Sequence, residues 1–216
     1  MKYLLFAGGL STVLAASAFA NIRITEAMSS SNGLGLPTPD WIEVTNYGSS
    51  AIDLTGWRMD DSSFNFAVSV ALGGITTIGA GESVVFIESA SGAGIAAFRN
   101  NWGGLAGVQV GFYSGSGVGL SSGGDGACLF DSTGAILSQI SFGAATSGSS
   151  FFYGWDAAGV INPSFNAVVS TAGTIGTQVT FTSTGDTASI GTALAVPAPG
   201  VLALFGLAAV SSRRRR

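Results

Sequence analysis

Apolar and polar positions alternate along this chain in short stretches, and glycine, serine and threonine fill the intervals. Ile22-Arg23-Ile24-Thr25-Glu26 has the period of two expected of a strand. Ser29 to Pro39 reads as a loop. Asp40-Trp41-Ile42-Glu43-Val44-Thr45-Asn46 is a second strand, with Ile42 and Val44 on one face and Trp41, Glu43 and Thr45 on the other. After the turn Asn46-Tyr47-Gly48-Ser49, the pattern resumes from Ile52 to Met59. Val84 to Glu88 is rich in β-formers and follows the turn Gly79-Ala80-Gly81-Glu82. Ile95, Phe98 and Trp102 share one face of a short helix. Val108 to Phe112 predicts another strand, and Ala127 to Phe130 and Ile136 to Phe142 flank the hairpin turn Asp131-Ser132-Thr133-Gly134.

Many short strands joined by glycine-rich turns predict an all-β sandwich or barrel. No regular alternation of strand and helix appears, and no fixed-period repeat. Beyond Gly143 the pattern thins. Phe151 to Trp155 reads as an aromatic edge strand or a packed loop. Asn166 to Ala195, rich in threonine, alanine and glycine, predicts one or two trailing strands that pass into an extended stalk.

The two ends follow a different pattern. Met1 to Ala20 has a basic start at Lys2, an apolar run from Leu4 to Ala16, and the small-x-small site Ala18-Phe19-Ala20. This predicts a signal helix cleaved before Asn21. At the other end, Gly200 to Ser212 is thirteen residues long and uncharged. As a helix it would span about 20 Å, short of a hydrocarbon core of about 30 Å. Pro197-Ala198-Pro199 bounds that run, because proline lacks an amide donor and clashes with the preceding turn. Arg213, Arg214, Arg215 and Arg216 close it as a basic stop, which orients the arginines to the cytoplasm and the domain outward.

The segment Val196, Pro197, Ala198, Pro199, Gly200, with the helix and the arginines, resembles the PEP-CTERM sorting signal of bacterial surface proteins. Ala198 stands where that family usually carries glutamate. The resemblance implies that an exosortase-type enzyme processes the tail and that this chain is its substrate. The body resembles the lamin-tail domain. The matching words are Ile22 to Met28, Asp40 to Asn46, Asp53-Leu54-Thr55-Gly56-Trp57 and Gly81 to Phe86, continued by Phe98 to Gly103, Ala127 to Asp131 and Ile136 to Phe142. That resemblance implies an immunoglobulin-like β-sandwich and a non-catalytic accessory role. The expected organisation is a signal peptide at 1–20, the sandwich at 21–155, trailing strands and stalk at 156–195, and the sorting tail at 196–216.

Charge sharpens the functional reading. With the end segments set aside, the body keeps Arg23, Arg58 and Arg99 against twelve acids, a formal charge of −9, and the chain has no histidine. A body this acidic lacks the basic footprint of a nucleic-acid binder. Without histidine there is no Ser-His-Asp, no Cys-His and no histidine metal site. Paired carboxylates are the remaining route to hydrolysis, with Asp60-Asp61, Glu43, Glu88, Asp125 and Asp131 available. Acids at turns and strand ends are more often structural, so no enzyme is expected. No cofactor is expected either. Calcium is the ion that oxygen-rich loops admit, with Asp40, Asp60 and Asp61 the first acids to consider against simple turn capping. Cys128, the sole cysteine, lies in an apolar strand and reads as a buried structural thiol.

Among the aromatics, Trp41 and Trp57 read as core. Tyr113, Phe151, Tyr153 and Trp155 read as exposed, with Tyr153 and Trp155 the candidate ligand contacts. The expected function is a structural or adhesive protein, exported, transiently anchored in the membrane by its C-terminal helix, then at the cell surface or in the extracellular matrix. A module binding carbohydrate or another envelope polymer comes second, and a secreted hydrolase third.

Overall fold

The computed structural model describes residues 22–33, 38–156, 158–174, 178–180 and 184–193. The leader with its cleavage site (Ala18, Ala20, Asn21) and the tail from Val196 to Arg216 lie outside these residues. The strands are β1 Ile22–Met28, β2 Trp41–Asn46, β3 Ile52–Asp53, β4 Arg58–Asp60, β5 Val70–Gly73, β6 Thr77–Ile78, β7 Ser83–Glu88, β8 Val110–Tyr113, β9 Asp125–Phe130, β10 Ile136–Phe142, β11 Phe151–Phe152, β12 Val168–Val169, β13 Val179–Thr180 and β14 Thr187–Ala188. The helix α1 covers Ile95–Asn101.

One hydrogen-bonded order runs β10-β9-β4-β5-β8-β7-β2-β1-β11-β12. It doubles over at β5, which pairs β4 on one side and β8 on the other. Two layers result, and β10 returns to lie against β1, where Ile24 N donates to Ser138 Oγ at 2.9 Å. The expected β-sandwich is therefore formed. Its interior holds the inward residues of both layers, among them Ile22, Ile24, Ile42, Val44, Phe86, Ala127 and Leu129. Trp57 is buried in this core, as its strand-like context predicts.

The stretch expected as one strand from Ile52 to Met59 is two, β3 and β4. Gly56 adopts φ +79 between them, a conformation that side chains rarely tolerate, and the chain turns there. A second departure lies between β7 and β8, which pair in parallel. Parallel neighbours need a crossover, and α1 supplies it. At seven residues α1 is far below the length at which a helix holds itself together in water. Packing holds it instead: Phe98 and Trp102 meet Trp41 edge-on at ring distances of 6.4 and 6.0 Å. Gly111 on β8 is required by close packing. A Cβ there would come within 2.5 Å of the Gly73 carbonyl and 2.8 Å of the Phe86 ring.

Every residue of β2 is buried, on both faces. The face carrying Trp41, Glu43 and Thr45 is roofed by α1 and by the C-terminal segment, and a second core forms from Met28, Trp41, Val85, Ile87, Phe98, Trp102, Val110 and Ala188. A hydroxyl ladder crosses the same face. Thr25 Oγ1 donates to Glu43 Oε1 at 2.7 Å and lies 2.9 Å from Thr45 Oγ1, which lies 2.7 Å from Ser83 Oγ. After Asn166, where one or two trailing strands passing into an extended stalk were expected, the three short strands β12, β13 and β14 form. They pack onto the domain as far as Ala188 and Ile190. Cys128, on β9, is fully buried.

Candidate functional site

A broad concavity lies where the sandwich closes. Beyond β11 the chain doubles back through a loop pinned by a bridge between Trp155 and Ile161. Asp156 builds that loop, its Oδ1 accepting from Ala158 N and Val160 N, both at 2.9 Å. Gly159 completes the turn at φ +78, directly over the Arg23 guanidinium. Between this loop and the first half of β10 runs a groove of about 780 Å³, lined by Arg23, Ile136, Gln139, Trp155, Val160 and Ile161 among others. Ile136 and Val160 are 51% and 60% exposed, so the rim offers aliphatic surface to solvent.

Arg23 and Trp155 form the polar floor. The guanidinium carbon stands 5.2 Å from the indole centroid, a cation–π distance. Arg23 Nη1 donates to the Ile22 carbonyl at 2.6 Å, and Trp155 Nε1 donates to the Ile24 carbonyl at 2.9 Å. Partial burial lowers the Arg23 pKa, and Tyr47 and Asp156 oppose that shift. An arginine stays charged through such a change.

Three of the four aromatics expected at the surface are in the core. Tyr113, Phe151 and Tyr153 are buried, and only Trp155 is partly open. The reason is that β11 is not an edge: it pairs β1 on one side and β12 on the other. Phe151 stacks on Phe142 at 4.9 Å, and the Tyr153 hydroxyl donates to the Ser141 carbonyl at 3.1 Å. Tyr153 is therefore corrected from ligand contact to core residue.

The acids are mostly committed to the fold. Asp131 is the carboxylate among the groove's lining residues, and its Oδ1 accepts from Thr133 Oγ1, Thr133 N and Ala135 N at 2.7, 2.8 and 3.0 Å. Those bonds, the Thr133 hydroxyl foremost, hold its pKa below the usual range. Asp60 Oδ2 accepts from Ser63 Oγ at 2.6 Å and Asn65 N at 2.7 Å, and Asp61 Oδ1 from Ser63 N at 2.9 Å. Both therefore cap one turn. Asp40 sits apart from them. Burial, then Glu88 and Asp125, raise its pKa to about 7. Among the described residues no three acids, thiols or imidazoles gather in a way that could hold a metal ion. Glu26 and Glu43 are fully buried under the C-terminal segment, out of a substrate's reach.

The arrangement can therefore bind, through aliphatic, indole and guanidinium surface, but its lining offers no second carboxylate for acid–base work. Sequence reasoning missed Arg23, Ile136, Gln139, Val160 and Ile161. One signal was present: Asp156 followed at three residues by glycine marks a tight turn beside the only exposed tryptophan candidate.

A family model described as LTD: Lamin Tail Domain matches residues 15–144, more than half of the chain. The match ends just after β10, so β11 to β14 and the groove's loop wall lie beyond it. No curated protein matches the chain.

Proposed function

The chain belongs to the lamin tail domain family; we propose from that membership a structural or adhesive protein, and from its two end segments that it is exported to the cell surface or extracellular matrix. The family's immunoglobulin-like domain is in general a non-enzymatic module for structure or binding. The observation that carries the reading is the groove at the sandwich seam. Exposed Ile136 and Val160 flank an Arg23–Trp155 pair, and the one carboxylate lining the groove, Asp131, caps its own turn. Such a surface suits contact with another macromolecule rather than turnover of a small substrate.

The end segments supply the address in this proposal. A leader at 1–20 is removed between Ala20 and Asn21, and the tail at 196–216 holds the chain in the membrane until an exosortase-type enzyme acts at Val196 to Gly200. Residues 21–155 then act as the sandwich, with 156–195 as its C-terminal extension. Among the described residues no helix is long and apolar enough to cross a membrane. The intact mass and location of the native protein, with and without the exosortase, test the address. A mature product that ends before Arg213 supports it. A product still carrying all four arginines in the envelope refutes processing.

The second reading is a module for carbohydrate or another envelope polymer, favoured by Trp155 in the groove. A glycan array decides between the two. Selective binding lost in Trp155→Ala favours the module, and an unresponsive array favours the structural role. Hydrolysis of a glycan or ester, abolished by changing one acid, would sink both.

A further inference from the structure

Glu26 and Glu43 are cross-strand partners on β1 and β2, and both are fully buried. Besides Thr25 Oγ1, which donates to Glu43 Oε1, the groups that bond them come from the chain after β10. Ser189 N donates to Glu26 Oε1 and Oε2 at 2.9 and 3.1 Å, and Ser189 Oγ to Oε2 at 2.8 Å. Ser150 Oγ donates to Glu26 Oε1 at 2.5 Å, and Ser170 Oγ lies 3.4 Å from the same oxygen. Gly191 N donates to Glu43 Oε2 at 2.6 Å, across 148 residues of sequence. Gln178 Nε2 supports the set through Ser170 Oγ at 2.8 Å. Residues 184–191 thus lie as a strap over the β1–β2 face, with its backbone amides fastened into two carboxyl groups.

Among the described residues no cation compensates the pair. Arg58 bonds Ser69, and Arg99 bonds the Leu105 and Val108 carbonyls. Arg23 stacks on Trp155. Tyr47 faces Glu43, its pKa raised by burial and then by that carboxyl, while Asp186 on the strap is held by Asn32 N and Thr184 Oγ1 at 2.7 and 3.0 Å. Two adjacent carboxylates in a dry site cannot both ionise without large cost. Burial raises both, and Glu26 raises Glu43 further, to about 8.

We propose that the 184–191 strap is a proton-operated fastening: closed while the Glu26–Glu43 pair keeps a proton, and released from the β1–β2 face when both ionise. Release would free the segment that joins the sandwich to its C-terminal tail. The strap itself, residues 184–191, would then reach roughly 28 Å when extended. The lengthened tether leaves the inner core of the sandwich in place.

Hydrogen exchange on the full chain between pH 6 and pH 9.5, read as protection factors, tests this. Protection at Thr187, Ser189 and Gly191 should fall by about tenfold per pH unit as pH rises toward about 8 and level off above it, while β7 and β9 amides stay protected. Glu43→Gln keeps a neutral side chain of the same shape and should flatten that dependence, as should Glu26→Gln. Constant strap protection in the wild-type chain overturns the proposal. So does loss of strap and core protection together, or an unchanged pH response in both glutamine variants.

Discussion

The two faces of the β1–β2–β7 sheet come from the same strands and are both buried, yet they cohere by different means. Inward, the contacts are apolar, from Ile24, Ile42, Val44, Val84 and Phe86 onto the opposite layer. Outward, a Trp41–Phe98–Trp102 cluster sits beside a ladder of hydroxyls and two carboxyl groups. The inner face is stabilised by removal of apolar area and is indifferent to pH. The outer face depends on each buried polar atom finding its partner, and those partners arrive from far along the chain. One sheet therefore carries a side that is robust to conditions and a side that responds to them.

The largest test of this contrast is Phe86→Ala. It deletes a fully buried inward ring and should cost about 3–5 kcal/mol, seen as a lower urea midpoint at every pH. An equal loss confined to high pH would erase the distinction between the faces. Next, Glu43→Ala strands the Gly191 amide and removes one acceptor of the Thr25 hydroxyl, and should cost about 1–3 kcal/mol in the same titration. Glu43→Gln should cost clearly less.

The pH dependence follows with its sign fixed. The Glu43 carboxyl is raised from 4.5 to about 8 in the fold, so its contribution is whole below about pH 4.5 and lost as pH rises through about 8. Thermal midpoints should decline across that window in the wild type and decline less in Glu43→Gln. A midpoint rising with pH through the window contradicts the assignment. The smallest effect belongs to the groove rim. Ile136→Ser, at a half-exposed position, should shift stability by no more than about 0.5 kcal/mol while weakening whatever the groove binds.

The sequence made much of the inner face legible, because strand alternation is local. Ile42 and Val44 were assigned to one side of β2 from spacing alone, and the helix at Ile95 to Trp102 from three apolar residues. The outer face was not legible. Nothing local to Glu43 tells that Gly191 will reach it, so a glutamate counted in the sequence among the carboxylates available for hydrolysis is fully buried. The same limit hid β11. Phe151 to Trp155 has the composition of an edge, but its neighbour β12 is two residues long and carries almost no pattern. β5 and β6 escaped for the same reason of length. Trp155 was identified from its residue type, whereas Arg23 enters the site only through the three-dimensional closure of β10 on β1.

The burial of Cys128 also bears on the compartment. Its thiol is wholly enclosed on β9, and burial, with Asp60 adding to it, pushes its pKa up to about 12. A lone accessible cysteine in an oxidising compartment is a liability, since its thiolate attacks oxidants and the disulfides of neighbouring molecules. Here almost no thiolate exists at neutral pH, and no reagent can approach without opening the layer. The chain can thus reside in an oxidising milieu as a non-crosslinking species for as long as the sandwich stays folded.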